Sequence, residues 1–172
     1  MSNLRLINET NVTSASQISV TDVFSSDFDI YKIEFDYSFD VTSNVNARLI
    51  NSSGSVITSS EYDWAYERFN DYTTFGENRG DNETDWNDFI GKNDSVSGEC
   101  QNSVGYIFNP YSSDRFTYAL FSSANAVNDQ SQGMKGVACL TEVTSVTGFQ
   151  IIFDSYASNN GKIRTYGLRV DS

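Results

Sequence analysis

Histidine is absent from this 172-residue chain, proline occurs once and cysteine only twice. Without histidine there is no commonest general base, no Ser-His-Asp arrangement and no imidazole metal ligand. Cys100 and Cys139 are too few to complete a four-ligand zinc site, and no G-x-x-x-x-G-K-[ST] or G-x-G-x-x-G run offers a phosphate cradle. Basic residues are also scarce. The 11 Lys and Arg are scattered against 23 Asp and Glu, for a net charge of −12. Nucleic-acid binding depends on clustered cations, and anionic membranes repel such a chain, so neither is an expected partner. No apolar run approaches the ~20 residues that span a bilayer. The opening MSNLRLINETNVTS lacks a charged segment followed by an apolar one, so the expectation is a chain made in the cytosol. In that compartment two free, buried thiols are the default, and a disulfide would require Cys100 and Cys139 on adjoining strands.

What the chain does have is aromatic bulk: 12 Phe and 10 Tyr, which supply the burial that scarce aliphatics do not. The length suits a single domain over residues 1–172. Alternation with a period of two is the dominant pattern. In YKIEFDYSF, Tyr31, Ile33, Phe35, Tyr37 and Phe39 fall on one face, and Lys32, Glu34, Asp36 and Ser38 on the other. That is a strand with one wet side. The pattern recurs at Val45, Ala47 and Leu49; at Val104, Tyr106 and Phe108; at Phe116, Tyr118 and Leu120; and at Phe149, Ile151 and Phe153. The last strand, KIRTYGLRV, contains Gly167, which marks a bulge or a close backbone approach. Weaker strands are expected near Leu4–Ile7, Ile18–Val23 and Lys135–Leu140. Ser, Asn, Asp and Gly clusters such as Asn51-Ser52-Ser53-Gly54 separate them. About eight to ten such strands predict an all-β fold, an antiparallel β-sandwich that is jelly-roll-like.

Three segments read differently. Residues 1–20 form an N-terminal strand or arm, free to extend onto a neighbour. Ser60–Tyr72 reads as an irregular strand or turn. Residues 75–99 read as one long acidic loop, and loops of that length in compact domains are usually functional or mobile.

The acidic loop raises two chemical readings. Paired carboxylates drawn from Asp81, Glu83, Asp85 and Asp88 are what glycoside hydrolysis needs, although a solvated acidic loop is the commoner meaning of such a stretch. Asp81, Glu83, Asp85 and Asn87 also alternate as oxygen donors do around calcium. An EF-hand would need Gly and Glu where Trp86 and Lys92 stand, so only a calcium site of another kind is left open. The expectation is therefore no cofactor, with Asp81, Glu83 and Asp85 as the weak metal candidates. Tyr62, Trp64, Tyr66 and Trp86 are the candidate glycan or partner contacts, weighed against core and interface packing as the ordinary fate of such rings.

Several phrases together carry a resemblance. DVFSSDFDIYKIEF (22–35), VNARLINSSGSVITSSEYDWAY (45–66), FNPYSSDRFTY (108–118), VTSVTGFQIIFDS (143–155) and GKIRTYGL (161–168) occur in order. In that order they resemble a family of virion proteins of tailed, especially marine, bacteriophages. The resemblance covers roughly residues 20–170; the acidic stretch at 76–99 departs from it. It implies a β-sandwich used in capsid decoration and tail-fibre components, with no catalytic residues to carry over. The function expected from it is a non-enzymatic virion structural protein, a capsid decoration or cement protein on the particle surface. The alternative is a tail-fibre or neck-fibre component binding host-surface glycan. The partners implied are the phage major capsid protein or other virion proteins and further copies of the chain, and the implied location is the virion, after synthesis in the host cytoplasm.

Overall fold

The computed structural model describes residues 3–39, 43–71, 75–93, 101–127, 130–155 and 159–169. Alternating bulky and polar side chains produce many of the strands. In chain order they are β1 (Leu4–Thr13), β2 (Gln17–Val20), β3 (Ile30–Phe39), β4 (Ser43–Asn51), β5 (Tyr62–Asn70) and β6 (Gly76–Glu83). There follow β7 (Trp86–Asn93), β8 (Gln101–Phe108), β9 (Thr117–Val127), β10 (Gln130–Leu140), β11 (Val146–Phe153) and β12 (Asn159–Leu168). They make two antiparallel sheets, an eight-stranded one in the order β1-β12-β3-β8-β9-β10-β5-β6 and a four-stranded one in the order β2-β11-β4-β7. The all-β sandwich read from the sequence is the fold of this protein.

The core lies between the sheets. From the larger sheet come Tyr31, Ile33, Phe35, Tyr37, Ile107, Phe121, Leu140 and Ile163; from the smaller come Val45, Leu49, Trp86, Phe89, Phe149 and Ile151. Aromatic edges interlock across the gap: Tyr37 meets Phe153 at 5.9 Å between ring centres, Phe35 meets Phe149 at 6.4 Å and Tyr62 meets Trp86 at 5.8 Å. Such edge-to-face pairs add about 0.5–1.5 kcal/mol each beyond their burial. Hydrogen bonds also tie the layers together. The Tyr62 hydroxyl accepts from the Leu49 N–H at 3.0 Å while donating to the Ile57 carbonyl, and the Trp86 indole donates to the Cys139 carbonyl at 2.9 Å.

The structure departs from the sequence reading in several places. Residues 76–93 of the expected acidic loop form β6 and β7, and residues 94–99 lie outside the described residues. β6, GENRGDNE, has no apolar side chain because it is the outermost strand of its sheet and keeps most of its residues in water. β7 hides its rhythm for another reason. Asp88 (φ 52°) and Gly91 (φ 103°) break the pleat, so Trp86 and Phe89, three apart, both reach the core. Ser60–Tyr72 contains the regular strand β5, paired with β10 from Tyr62 to Asn70. Of the strand or arm expected over residues 1–20, the described residues form strand: β1 pairs with β12 from Leu4 to Thr13, and β2 pairs with β11. Among the described residues there are twelve strands, against the expected eight to ten.

Gly167 behaves as read. A Cβ there would stand 2.5 Å from the Phe28 ring, so the aromatic ring lies directly on the backbone of β12. Cys139 is a free thiol, half-buried on the outer side of β10 rather than in the core; burial, helped by nearby Asp63, pushes its pKa up to about 11. Cys100 lies outside the described residues.

Candidate interaction surface

Small residues line the inner side of the sheet centre. Gly105, Ala119, Gly136 and Ala138 are buried there. A Cβ on Gly136 would come within 2.5 Å of the Phe121 ring. Rings such as Phe121 and Phe89 fill this space, so Tyr106, Tyr118, Leu120 and Val137 point outward. The alternation at Tyr106 and at Tyr118 and Leu120 is therefore real, but its bulky side is the outer one. Tyr118 is 52% exposed, Leu120 44% and Val137 53%.

The register aligns these residues. Leu6 pairs with Tyr166, Tyr166 with Lys32, Lys32 with Tyr106, Tyr106 with Leu120, Leu120 with Val137, Val137 with Ala65 and Ala65 with Arg79. One cross-strand row thus runs over all eight strands of the larger sheet, apolar in the middle and cationic at Lys32 and Arg79. On one side a second apolar row follows: Leu168, Ile30, Phe108, Tyr118 and Cys139, ending at Asp63. On the other side the row is charged: Glu9, Arg164, Glu34, Val104, Ser122, Lys135, Glu67 and Glu77.

Electrostatics fix the charged side chains on this face. Lys32 Nζ bonds Glu34 Oε1 at 2.7 Å and sits 5.9 Å from the centre of the Tyr166 ring, whose hydroxyl donates to Glu34 Oε2 at 3.0 Å. The Lys32 ammonium holds the Glu34 carboxyl below its ordinary pKa. Glu9 accepts from Lys162 at 2.7 Å and from Arg164 at 2.8 Å. Farther across the sheet, Ala65, Glu67, Arg79, Leu120, Lys135 and Val137 border an open depression of about 580 Å³. Its floor is flat sheet and its rim is charged, a form that suits a protein surface better than an enclosed small molecule.

The residues singled out from the sequence lie elsewhere. Tyr62, Trp64, Tyr66 and Trp86 are all buried, at 0%, 6%, 7% and 0% exposure. Trp64 and Tyr66 stack on each other at 5.6 Å, and β6 lies over the indole, where a Cβ on Gly80 would come within 2.5 Å. The Tyr66 hydroxyl donates to Asp88 Oδ2 at 2.9 Å and accepts from Asn78 at 3.2 Å, with burial raising its pKa to about 12. A sugar needs an open ring face, so these four rings are packing residues and not a glycan platform. Asp81 and Glu83 are exposed on β6, whereas Asp85 pairs with Arg48 at 3.2 Å. Among the described residues no three Asp, Glu, Cys or His side chains gather closely enough to hold a metal ion. The surface row escaped sequence reading because its only signal is which of two half-apolar faces carries the smaller residues.

Fold and face together define the class: an antiparallel β-sandwich whose larger sheet carries a registered apolar band on its outer side. No family model and no curated protein matches the sequence. Among solved structures it is similar to a fructofuranosidase from Schwanniomyces occidentalis, complexed with fructosylnystose. The identity is 9%, the TM-score 0.28, and the match covers 97% of this chain and 34% of that one. The chain spans about a third of that enzyme's chain, at 34%, and the likeness is too distant to carry any argument.

Proposed function

We propose that this chain is a non-enzymatic structural protein of a virion, a decoration protein that sits on the particle surface and assembles with other protein subunits through the outer face of its eight-stranded sheet. The observation carrying the docking half of this reading is the apolar band, with Leu120 and Val137 opposite each other and 44% and 53% exposed. Adjacent exposed apolar residues rimmed by charge are the ordinary signature of a protein-binding surface. The virion half rests on the resemblance of residues 20–170 to phage particle proteins. Acidity fits it as well: a net charge of −12 keeps many copies soluble until they dock. The fibre alternative has lost its observation, since the rings that would stack on glycan are enclosed.

The test is co-sedimentation of purified chain with purified particles stripped of their tails, followed by electron microscopy of the pellet. Bound chain on the head surface, lost on Leu120→Asp with the fold unchanged, supports the reading. A chain that pellets equally well with Leu120→Asp, or one found only in cytosol free of particles, overturns it.

A further inference from the structure

We propose that the outer face of the eight-stranded sheet is closed by a second copy of this chain, across a two-fold axis that runs along the strands between β8 and β9. The inference rests on the reading of that face as a docking surface and names its occupant.

Charge distribution is the first argument. The six strands from β12 to β5 present, in their four central outward rows, the cations Lys32, Lys135, Lys162 and Arg164 and the anions Glu34, Asp36, Asp63 and Glu67. Four positive and four negative charges cancel (4 − 4 = 0), on a chain whose total is −12. The acidity is carried elsewhere. Two such chains meet no net charge repulsion within this patch, which is neutral.

The pattern within the patch is the second argument. A two-fold axis along the strands between β8 and β9 keeps each row and exchanges β9 with β8, β10 with β3, and β5 with β12. Leu120 of one copy then lies over Tyr106 of the other, and Tyr118 over Phe108. In the charged row Lys135 faces Glu34, and Glu67 faces Arg164. Symmetry makes each pairing twice, so four cross-copy ion pairs flank an apolar centre. An axis across the strands does the reverse. It would exchange the charged row for the second apolar row, setting Glu67 against Asp63, Glu34 against Ile30 and Arg164 against Leu168. Like charges directly opposed weaken a contact. Within the six strands the axis along the strands opposes none; it also sets Lys32 over Val137, Asp63 over Leu168 and Lys162 over Phe69, but of the two axes it alone makes the ion pairs, and these select it.

Area is the third argument. Six strands ~4.8 Å apart and four outward rows ~6.8 Å apart cover roughly 800 Å², about what each partner buries in a standard stable interface. An isologous contact of this kind uses the same patch on both subunits and closes after two copies.

The experiment is sedimentation equilibrium of the full chain from about 1 to 100 µM, a range that spans micromolar association. Wild type is expected to be a dimer. Lys135→Glu and Glu34→Lys should each weaken it by about tenfold or more, and the two together on one chain should restore it to within about threefold. Glu34 also holds Lys32 and Tyr166, and Arg164 also holds Glu9, so restoration by the double variant is the deciding readout, and Glu67→Arg with Arg164→Glu is a second swap. Circular dichroism and melting temperature confirm folding of each variant. A monomer at the highest concentration, or a dimer that neither swap weakens and restores, overturns the proposal. If the swaps fail while Leu120→Asp still abolishes particle binding, the second copy is wrong and the docking reading stands. If Leu120→Asp changes neither association nor particle binding, both are wrong.

Discussion

Trp86, on the smaller sheet, donates its indole N–H to the main-chain carbonyl of Cys139, on the larger, at 2.9 Å. Its ring is fully enclosed, edge-on to Tyr62 and 5.1 Å from Phe89. The residue is thus both the largest fully buried side chain among the described residues and a polar bolt between layers. Trp86→Phe keeps an aromatic filling but removes the bond between the layers and opens a small void. A loss of about 2–4 kcal/mol is expected, from the lost hydrogen bond and from the cavity. Urea unfolding followed by fluorescence of the remaining Trp64 checks it; a loss under about 0.5 kcal/mol would show that the bond contributes nothing.

Buried tyrosines make the fold sensitive to alkali. Enclosure raises the pKa of Tyr37 and Tyr62 well above the ordinary value of 10.0, and that of Tyr66 to about 12. The folded state therefore holds these phenolic protons more tightly than the unfolded chain does. Their contribution to stability is complete below pH ~10, where both states are protonated, and is lost progressively as pH rises from there through the folded-state values. Above pH ~10, Tyr37 and Tyr62 should each approach a slope of ~1.4 kcal/mol per pH unit. Urea midpoints measured between about pH 8 and 11 read this directly, and Tyr37→Phe should flatten the decline. A midpoint constant across that range would contradict the enclosure of these rings.

Gly167 gives a sharper steric test. All three nearest neighbours of a Cβ at this position are atoms of the Phe28 ring, at 2.5, 2.6 and 2.7 Å. Gly167→Ala should cost about 1–3 kcal/mol, as overpacking does. Because one side chain supplies the three closest contacts, Phe28→Leu should relieve much of the clash. A double-mutant cycle by thermal or urea melting is expected to give a coupling of about 0.5–3 kcal/mol. Additive effects would mean that the backbone, not the ring, sets the constraint.

Legibility in the sequence followed local physics. β3 announced itself because from Tyr31 to Ser38 its inner residues are all bulky and its outer ones all polar, and β11 was readable through Phe149, Ile151 and Phe153, all three buried. The turn at Asn51 was readable because an Asn side chain caps its own backbone; its Oδ1 accepts from the N–H groups of Ser53 and Ser55. β6 and β7 were not readable, since an edge strand needs no apolar face and a residue in the left-handed region resets the alternation. The candidate glycan rings failed for a simpler reason. Tyr62, Trp64 and Tyr66 alternate on β5, which shows that they share a face, but only the position of β6 and β7 shows that the face is covered.

The inversion of β8 and β9 provides the remaining prediction. Both faces of these strands carry apolar side chains, so alternation identifies a face without saying which one is inside. The answer lies in the partners: Gly136 leaves room for Phe121, and that ring, together with Trp86 and Phe89, occupies the volume in which Tyr106 or Leu120 would otherwise sit. If this placement is right, polar substitutions split by parity along the same hairpin. Leu120→Ser and Val137→Thr should change the stability of dilute chain by no more than about 0.5 kcal/mol, as surface changes do. Ile107→Ala, one position from Tyr106 and 1% exposed, should cost about 2–5 kcal/mol, and Phe121→Ala, one position from Leu120, about 3–5. Urea unfolding of the four variants side by side decides it. Large losses at Leu120 and Val137, with small ones at Ile107 and Phe121, would turn the sheet over and remove the exposed band on which docking depends.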